Sequence, residues 1–340
     1  NQMGQRNGAG VAYLSVFHPD IMGFLATKKE NADEKVRVKT LSLGVTVPDK
    51  FYDLIRSNAD MFLFSPYDVE REYGEPFNYV DITAEYDNMV RNPRIKKTKI
   101  RARDLENEIS KMQQESGYPY VINIDTVNAA NPIHGKVVSS NLCSEILQVQ
   151  KASEIGNDQQ YYKMGSDVSC NLGSTNIVNM METTDFERSV DTMVRALTFV
   201  SDNSNLDIVP SVQNGNRELH AVGLGAMGLH AFFAKNHMHY GDEEAIDFTN
   251  AYFLMLNYYT LLASNKIAKE RGESFFEFEK SAYADGSYFN KYLMADWSPK
   301  TDKVKAIFEK HHFPTKHDWA MLKESIQKHG LYNAYRMAIA

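Results

Sequence analysis

The run Ser140-Asn141-Leu142-Cys143-Ser144-Glu145-Ile146 sets a carboxamide, a thiol and a carboxylate at every second position. In extended chain, residues i, i+2 and i+4 point to the same side. Such a stretch would aim all three groups into one space. Leu142 and Ile146 do not share one face of that alternation. The segment therefore reads as a short pointed loop or strand end, not as a regular amphipathic strand.

The residue types leave several chemistries open. A nucleophilic thiolate, as in a thiol-dependent hydrolase, needs a His or another cation to lower its pKa. Glu145 has the wrong sign for that, and His134 is the one His close in sequence. A metal site needs more Cys or His than His134 offers. In radical chemistry the thiol gives up a hydrogen atom and no thiolate is required. The carboxylate can then accept a proton from a substrate hydroxyl while the carboxamide holds a neighbouring oxygen. The fourth reading is a Cys that packs in the core, as most free Cys do.

Composition narrows the setting. Two Cys among 340 residues argue against a disulfide framework and for a reducing compartment, the cytoplasm. Apolar content of 43% suits a sizeable core in one large domain or two average ones. A net charge of −7 gives no general reason to expect nucleic acid or an anionic membrane as partner. No apolar run approaches the ~20 residues that span a bilayer, and the polar start shows no signal peptide.

Along the chain, residues 1–14 read as a Gly-containing loop entering a strand, and 18–30 as a helix with Pro19 near its first turn. Leu41 to Val47 is strand-like and ends at Pro48, which begins a helix through about Ser57. Residues 91–103 are strongly basic, and Lys97, Lys99, Arg101 and Arg103 alternate as on one exposed face of an extended segment. No aromatic platform interleaves these cations, so a solvated face is favoured over a nucleic-acid surface. A helix from about Ala102 to Ser116 stops at Gly117, and residues 120–124 read as a buried strand. Cys170 lies in a strand-to-turn pattern. The second half is mostly helical: from about Phe186 to Val200, from Ile246 to Glu270, and over 316–329, with Thr315 and Asp318 at capping-box spacing.

Three signals tempt and are declined. Gly223, Gly225 and Gly228 fit the dinucleotide fingerprint, with Glu243 about twenty residues on. The polar residues 214–218 before them do not read as the strand that motif requires, so close packing of a helix on small residues is the better reading. Tyr258-Tyr259 lies among apolar helix residues and reads as packing. His311, His312 and His317 read as solvated loop histidines rather than metal ligands, and no metal site is expected.

Further stretches accompany the 140–146 run: 31–45 (NADEKVRVKTLSLGV), 63–70 (LFSPYDVE), 115–120 (ESGYPY), 168–174 (VSCNLGS) and 329–333 (HGLYN). Together, and in this order, they resemble the class I ribonucleotide reductase large subunit, nearest the class Ib form. The likeness extends over nearly all 340 residues.

The resemblance implies an α/β fold that is part of a ten-stranded α/β barrel built from two five-stranded halves, with Cys143 on a central finger loop. Residues 1–340 would be the central portion of that barrel domain, without the N- and C-terminal parts of the family's subunit. Cys143 would be the transient thiyl radical, in a closed dry cavity, Glu145 the base for the ribose 3′-OH, and Asn141 the group that positions substrate hydroxyls. Cys170 would be half of a redox pair whose partner lies upstream of residue 1. The charged segment 28–39 would pass effector identity to the substrate site, with Arg37 and Lys39 near base or effector. No cofactor would be bound in the chain itself. ATP and dNTPs would act as effectors, and a separate dimetal small subunit would supply the radical. The expected partners are a ribonucleoside diphosphate, that small subunit, the missing large-subunit segments, a thioredoxin- or glutaredoxin-like reductant and a second copy in a homodimer; no membrane and no nucleic acid are expected. The isolated chain is expected to be inactive. The alternative is a non-catalytic relic that keeps the fold and binds nucleotide or partner chains.

Overall fold

The computed structural model describes residues 4–5, 7–31 and 33–338. The chain divides into two compact units. The first runs to Asn131 and adds Lys136–Gln148; the second is Pro132–Gly135 with Val149 onward.

In the first unit, strands β1 (Gly10–Ser15) and β2 (Leu41–Val47) are joined through the helix Ile21–Ala26 and the segment that follows it. Strands β3 (Asp60–Phe64) and β4 (Lys97–Arg101) pair antiparallel. Strand β5 (Tyr120–Asn123) returns to the first sheet, whose order is β1-β2-β5 and whose strands are all parallel. The register puts Tyr13 beside Gly44 and Gly44 beside Tyr120. Helices Asp49–Arg56, Ile82–Arg91 and Ala102–Ser116 supply Phe51, Tyr86, Met89, Leu105 and Met112 to a core with Val45, Met61 and Phe64. Phe17 is central to it, with ring centroids 6.4 Å from Phe51, 6.4 Å from Phe64 and 5.5 Å from Tyr86.

Several local expectations hold. The helix over 102–116 ends at Gly117 in the left-handed conformation (φ 77°), where a residue without Cβ fits best. Others need correction. The basic stretch departs from the expected single exposed face: Arg103 lies in the following helix, Thr98 is exposed beside Lys99, and Lys97 of β4 turns inward. The Lys97 ammonium donates to the carbonyls of Val90 (2.6 Å), Asn92 (2.8 Å) and Met89 (3.2 Å), closing the end of the helix before it. The helix expected over 18–30 is six residues long, because His18–Asp20 forms a turn that starts the helix only at Ile21. Strand β5 is half exposed, with only Ile122 buried, because it lies at the end of its sheet.

In the second unit, β6 (Glu154–Ile155) and β7 (Tyr161–Lys163) form a short hairpin. Strands β8 (Leu172–Asn176) and β9 (Gly223–Met227) pair in parallel. The helix Glu243–Arg271 is buried on most of its circumference, as expected for a central helix. It packs on Phe186–Asn203 and on Lys316–His329, the latter opened by the Thr315–Asp318 capping box. The parallel strands fall into sheets of three and two, and no closed barrel forms among the described residues. The α/β class stands; the ten-stranded barrel is not completed by these elements.

Phe17→Ala is expected to destabilise the first unit by about 3–5 kcal/mol, the usual cost of an aromatic cavity. Urea denaturation followed by far-UV circular dichroism measures it, and a loss below about 1 kcal/mol would contradict this view of the core.

Candidate active site

Residues 140–146 form a loop of the first unit. It is not extended through its centre. Ser144 N donates to Asn141 O (3.2 Å), which closes a turn, and Ser144 takes a positive φ of 66°. Strict alternation of Asn141, Cys143 and Glu145 is thereby broken, and the expectation of an extended trio is corrected. The pointed-loop reading is the one the structure shows.

The carboxamide of Asn141 stitches the loop together. Its Oδ1 accepts from Ile146 N (3.1 Å) and from Ser140 Oγ (3.2 Å), while Ser140 Oγ also donates to Ile146 O (2.7 Å). That oxygen is committed to the loop. Tyr13 of β1 reaches the turn from below. Its hydroxyl donates to Asn141 O (3.1 Å) and lies 2.8 Å from Ser144 Oγ.

Glu145 is half-buried, and its Oε2 is buried with no hydrogen-bond partner among the described residues. A buried carboxylate oxygen without a donor costs several kcal/mol unless something completes it. One phenol, Tyr13, lies within electrostatic reach of Glu145, and a second, Tyr120, within reach of Cys143. Tyr13 has its pKa pushed up by burial above all, against the Ser144 hydrogen bond, with Glu145 and Cys143 adding to the rise. Tyr120 is raised by burial first and Tyr118 next, and Cys143 again contributes.

Cys143 itself is exposed. The closed chamber expected around it is not formed by the described residues. Tyr13 latches the loop at Asn141 and Ser144, and the Cys143 side chain meets solvent.

Cys170 belongs to the second unit, is likewise exposed and is not in a disulfide. Its segment is sewn to the helix Pro210–Leu219. Asp167 N donates to Ser211 O (3.0 Å), Ser211 Oγ to Asp167 Oδ2 (2.6 Å), Asn214 Nδ2 to Gly165 O (3.0 Å) and Ser169 Oγ to Asn216 Oδ1 (3.0 Å). Gly215 allows this approach: a Cβ there would lie 2.0 Å from Asp167 O.

The segment carrying Arg37 and Lys39 is in the first unit, and its described residues make contacts both within it and to the helix Ala102–Ser116, where Lys29 pairs with Glu108 (2.5 Å). Val38 N donates to Thr27 O (3.0 Å), and Lys39 Nζ pairs with Glu34 (3.6 Å). The buried Lys28 donates to Lys39 O (3.1 Å) and stands 4.8 Å above the Tyr118 ring, whose hydroxyl accepts from Ser42 (3.1 Å). Lys28 of the 28–39 segment thus contacts Tyr118, which precedes β5 and is itself bonded to Ser42 of β2.

A family model described as the ribonucleotide reductase barrel domain matches residues 1–340. The chain belongs to the ribonucleotide reductase barrel-domain family. It is 48% identical over its full length to a ribonucleoside-diphosphate reductase subunit alpha of Mycoplasma pneumoniae, covering 48% of that protein. It is 46% identical over its full length to the Bacillus subtilis subunit alpha, covering 49% of it. A subunit alpha of Chlamydia pneumoniae is 30% identical over the whole chain. The chain spans about half the length of the first two relatives.

Within this reductase-family domain, three residues escaped sequence reasoning: Tyr13, Gly44 and Tyr120. The available signal was Gly44, a glycine in the middle of an apolar strand, where close approach of another group is the usual reason. The declined motifs also resolve. Gly223–Met227 is itself strand β9, not a turn between strand and helix, so the helix-packing reading is corrected. Strand pairing to β8 overrides the weak strand propensity of glycine. Tyr258 and Tyr259 are buried beside Trp319 and Phe186. His311 is not solvated: it is buried and its Nε2 lies 3.2 Å from Met181 O. Among the described residues no three His, Cys, Asp or Glu gather as a metal site, and no helix is long and apolar enough to cross a membrane.

Gly215→Ala is expected to push the Cys170 segment off its helix, costing about 1–3 kcal/mol. In a Cys143→Ser background the alkylation rate of Cys170 should change several-fold. An unchanged rate with unchanged stability would show that the segment is not held by this contact.

Proposed function

We propose that the chain is the central barrel portion of a ribonucleoside-diphosphate reductase large subunit and takes part in reducing ribonucleotides to 2′-deoxyribonucleotides. The observation that carries this reading is the latched loop: a thiol at its tip, a carboxamide at its base and a carboxylate whose buried oxygen lacks a donor. A ribose offers what is missing, a C–H for the sulfur radical and a hydroxyl for the carboxylate.

In this reading Cys143, as a thiyl radical, takes the hydrogen atom from C3′, breaking C–H and forming S–H. Glu145 accepts the proton of the 3′-OH, and the donor-less Oε2 is suited to it. The Asn141 amide holds a substrate hydroxyl in place. The 2′-OH leaves as water with one added proton. A cysteine pair that includes Cys170 supplies two electrons and two protons and becomes a disulfide: one proton leaves with the 2′-oxygen as water, the other hydrogen forms the new C2′–H bond, and a thioredoxin- or glutaredoxin-like protein restores the pair. Cys143 then returns a hydrogen atom to C3′. A positioned base contributes typically ~10²–10⁴-fold to such a rate.

A thiyl in contact with water is short-lived, so Cys143 must be covered during turnover. The cover, in this proposal, comes from the portion of the longer proteins that this chain does not span, which also completes the barrel around the finger loop. The 28–39 segment, with Arg37 and Lys39, responds to ATP or dNTP effectors, and the Lys28–Tyr118 contact links it to the loop that precedes β5. A dimetal small subunit supplies the radical, a second copy forms the homodimer, and the cytoplasm is the compartment. The exposure of Cys143 favours one other reading, a non-catalytic relic that binds nucleotide or partner chains.

Nucleoside diphosphate reduction separates them. The 340-residue chain with a small subunit and dithiol is expected to show no sustained turnover, and assembly with the remaining large-subunit segments to restore it. Cys143→Ala should abolish the restored activity, and Glu145→Gln should lower kcat by about 10²–10⁴-fold. Sustained turnover by the chain alone, or activity surviving Cys143→Ala, would overturn the proposal.

A further inference from the structure

Tyr13, Gly44 and Tyr120 form one row across three parallel strands. Directly paired residues of parallel strands project to the same face. The middle position of the row has no side chain, and Tyr13 uses the space. A Cβ at residue 44 would lie 2.2 Å from Tyr13 Cε1 and 2.3 Å from Cδ1, distances no real carbon pair tolerates. The Tyr13 ring therefore lies across Gly44 instead of standing away from the sheet. In that pose its hydroxyl meets both ends of the turn: Asn141 O at 3.1 Å and Ser144 Oγ at 2.8 Å. Asn141 O also takes Ser144 N, so one carbonyl accepts the turn's own bond and the tyrosine's. Ser144 holds a positive φ, which a non-glycine residue adopts only when its surroundings enforce it. Leu142 and Cys143 are the two residues between these anchor points.

We propose that Tyr13 is a positioning residue whose hydroxyl, laid over the gap at Gly44, locks the 141–144 turn and so fixes the place of the Cys143 sulfur. This rests on the reductase reading for its catalytic consequence, but the lock itself does not. Losing the hydroxyl leaves the ring and the sheet intact while freeing the turn. Asn141 O loses a hydrogen bond as well, but the Asn141 side-chain oxygen stays held by Ile146 N and Ser140, so the larger effect falls on the placement of the sulfur and on turnover.

Tyr13→Phe in the full chain tests the lock by amide hydrogen exchange at Ser144 and Ile146, whose N–H groups bond to Asn141. About a tenfold faster exchange at both is expected, the size of one or two lost hydrogen bonds. Ser144→Ala, a loop substitution outside the sheet, should act similarly, and the double variant should be less than additive. Gly44→Ala should reproduce the faster exchange by displacing the ring. In the assembled reductase, Tyr13→Phe should lower kcat at least tenfold with KM within about twofold of wild type, because misplacement of a reacting group acts on the chemical step. Unchanged exchange at both amides would overturn the lock whether or not the assembly reduces ribonucleotides. Faster exchange with wild-type kcat would overturn the positioning role. An assembly whose wild type is inactive would count against the reductase reading alone, and the exchange result would still decide the lock.

Discussion

The parallel pairing of β1, β2 and β5 sets a tyrosine, a glycine and a tyrosine side by side, and the chemistry of the first unit is arranged over that row. Registers in buried sheets are strongly specified, because a slip of one residue turns every side chain to the wrong face. Here a slip would also put a side chain under the Tyr13 ring and remove the support of the loop. The core behind the sheet, with Phe17, Val45 and Phe64, is what holds that register. Packing far from the thiol is in this way converted into the position of the thiol.

The loop combines satisfied and unsatisfied groups in a pattern that simple packing does not explain. Asn141 Oδ1, Asn141 O, Ser140 Oγ and Ser144 Oγ all have partners, so the scaffold is rigid where it needs to be. Glu145 Oε2 has none among the described residues. A fully structural loop would be expected to satisfy its one buried carboxylate. An oxygen held ready and a thiol left open at the same tip suit a ligand that brings a hydroxyl and a C–H together. On the proposed radical chemistry the same openness demands a cover in the working protein, since such a step requires exclusion of water.

Local signals were the legible ones. Strand β2, the helix Ala102–Ser116 with its Gly117 stop and the Thr315–Asp318 capping box follow from nearest-neighbour physics and appear where expected. Features set by distant chain were not legible. The turn at 141–144 carries no glycine to announce it, because Tyr13, more than a hundred residues away, enforces the positive φ of Ser144. Strand β9 is glycine-rich and reads poorly as a strand until β8 is beside it. Burial of His311 depends on Met181 and Phe186, which no local pattern connects to it. Residue types and spacing left the chemistry of Asn141, Cys143 and Glu145 open and only the resemblance nominated them as a site, whereas the exposure of Cys143 depends on what surrounds the loop in space.

The most direct test of the central claim is a structure of the complete assembly with a ribonucleoside diphosphate bound. The ribose is expected over the 141–145 loop, with C3′ about 3–3.5 Å from Cys143 Sγ, the distance of a reactive conformer, and the 3′-hydroxyl donating to Glu145. A sugar bound away from this loop, or Glu145 Oε2 satisfied by a protein donor instead of by substrate, would contradict it.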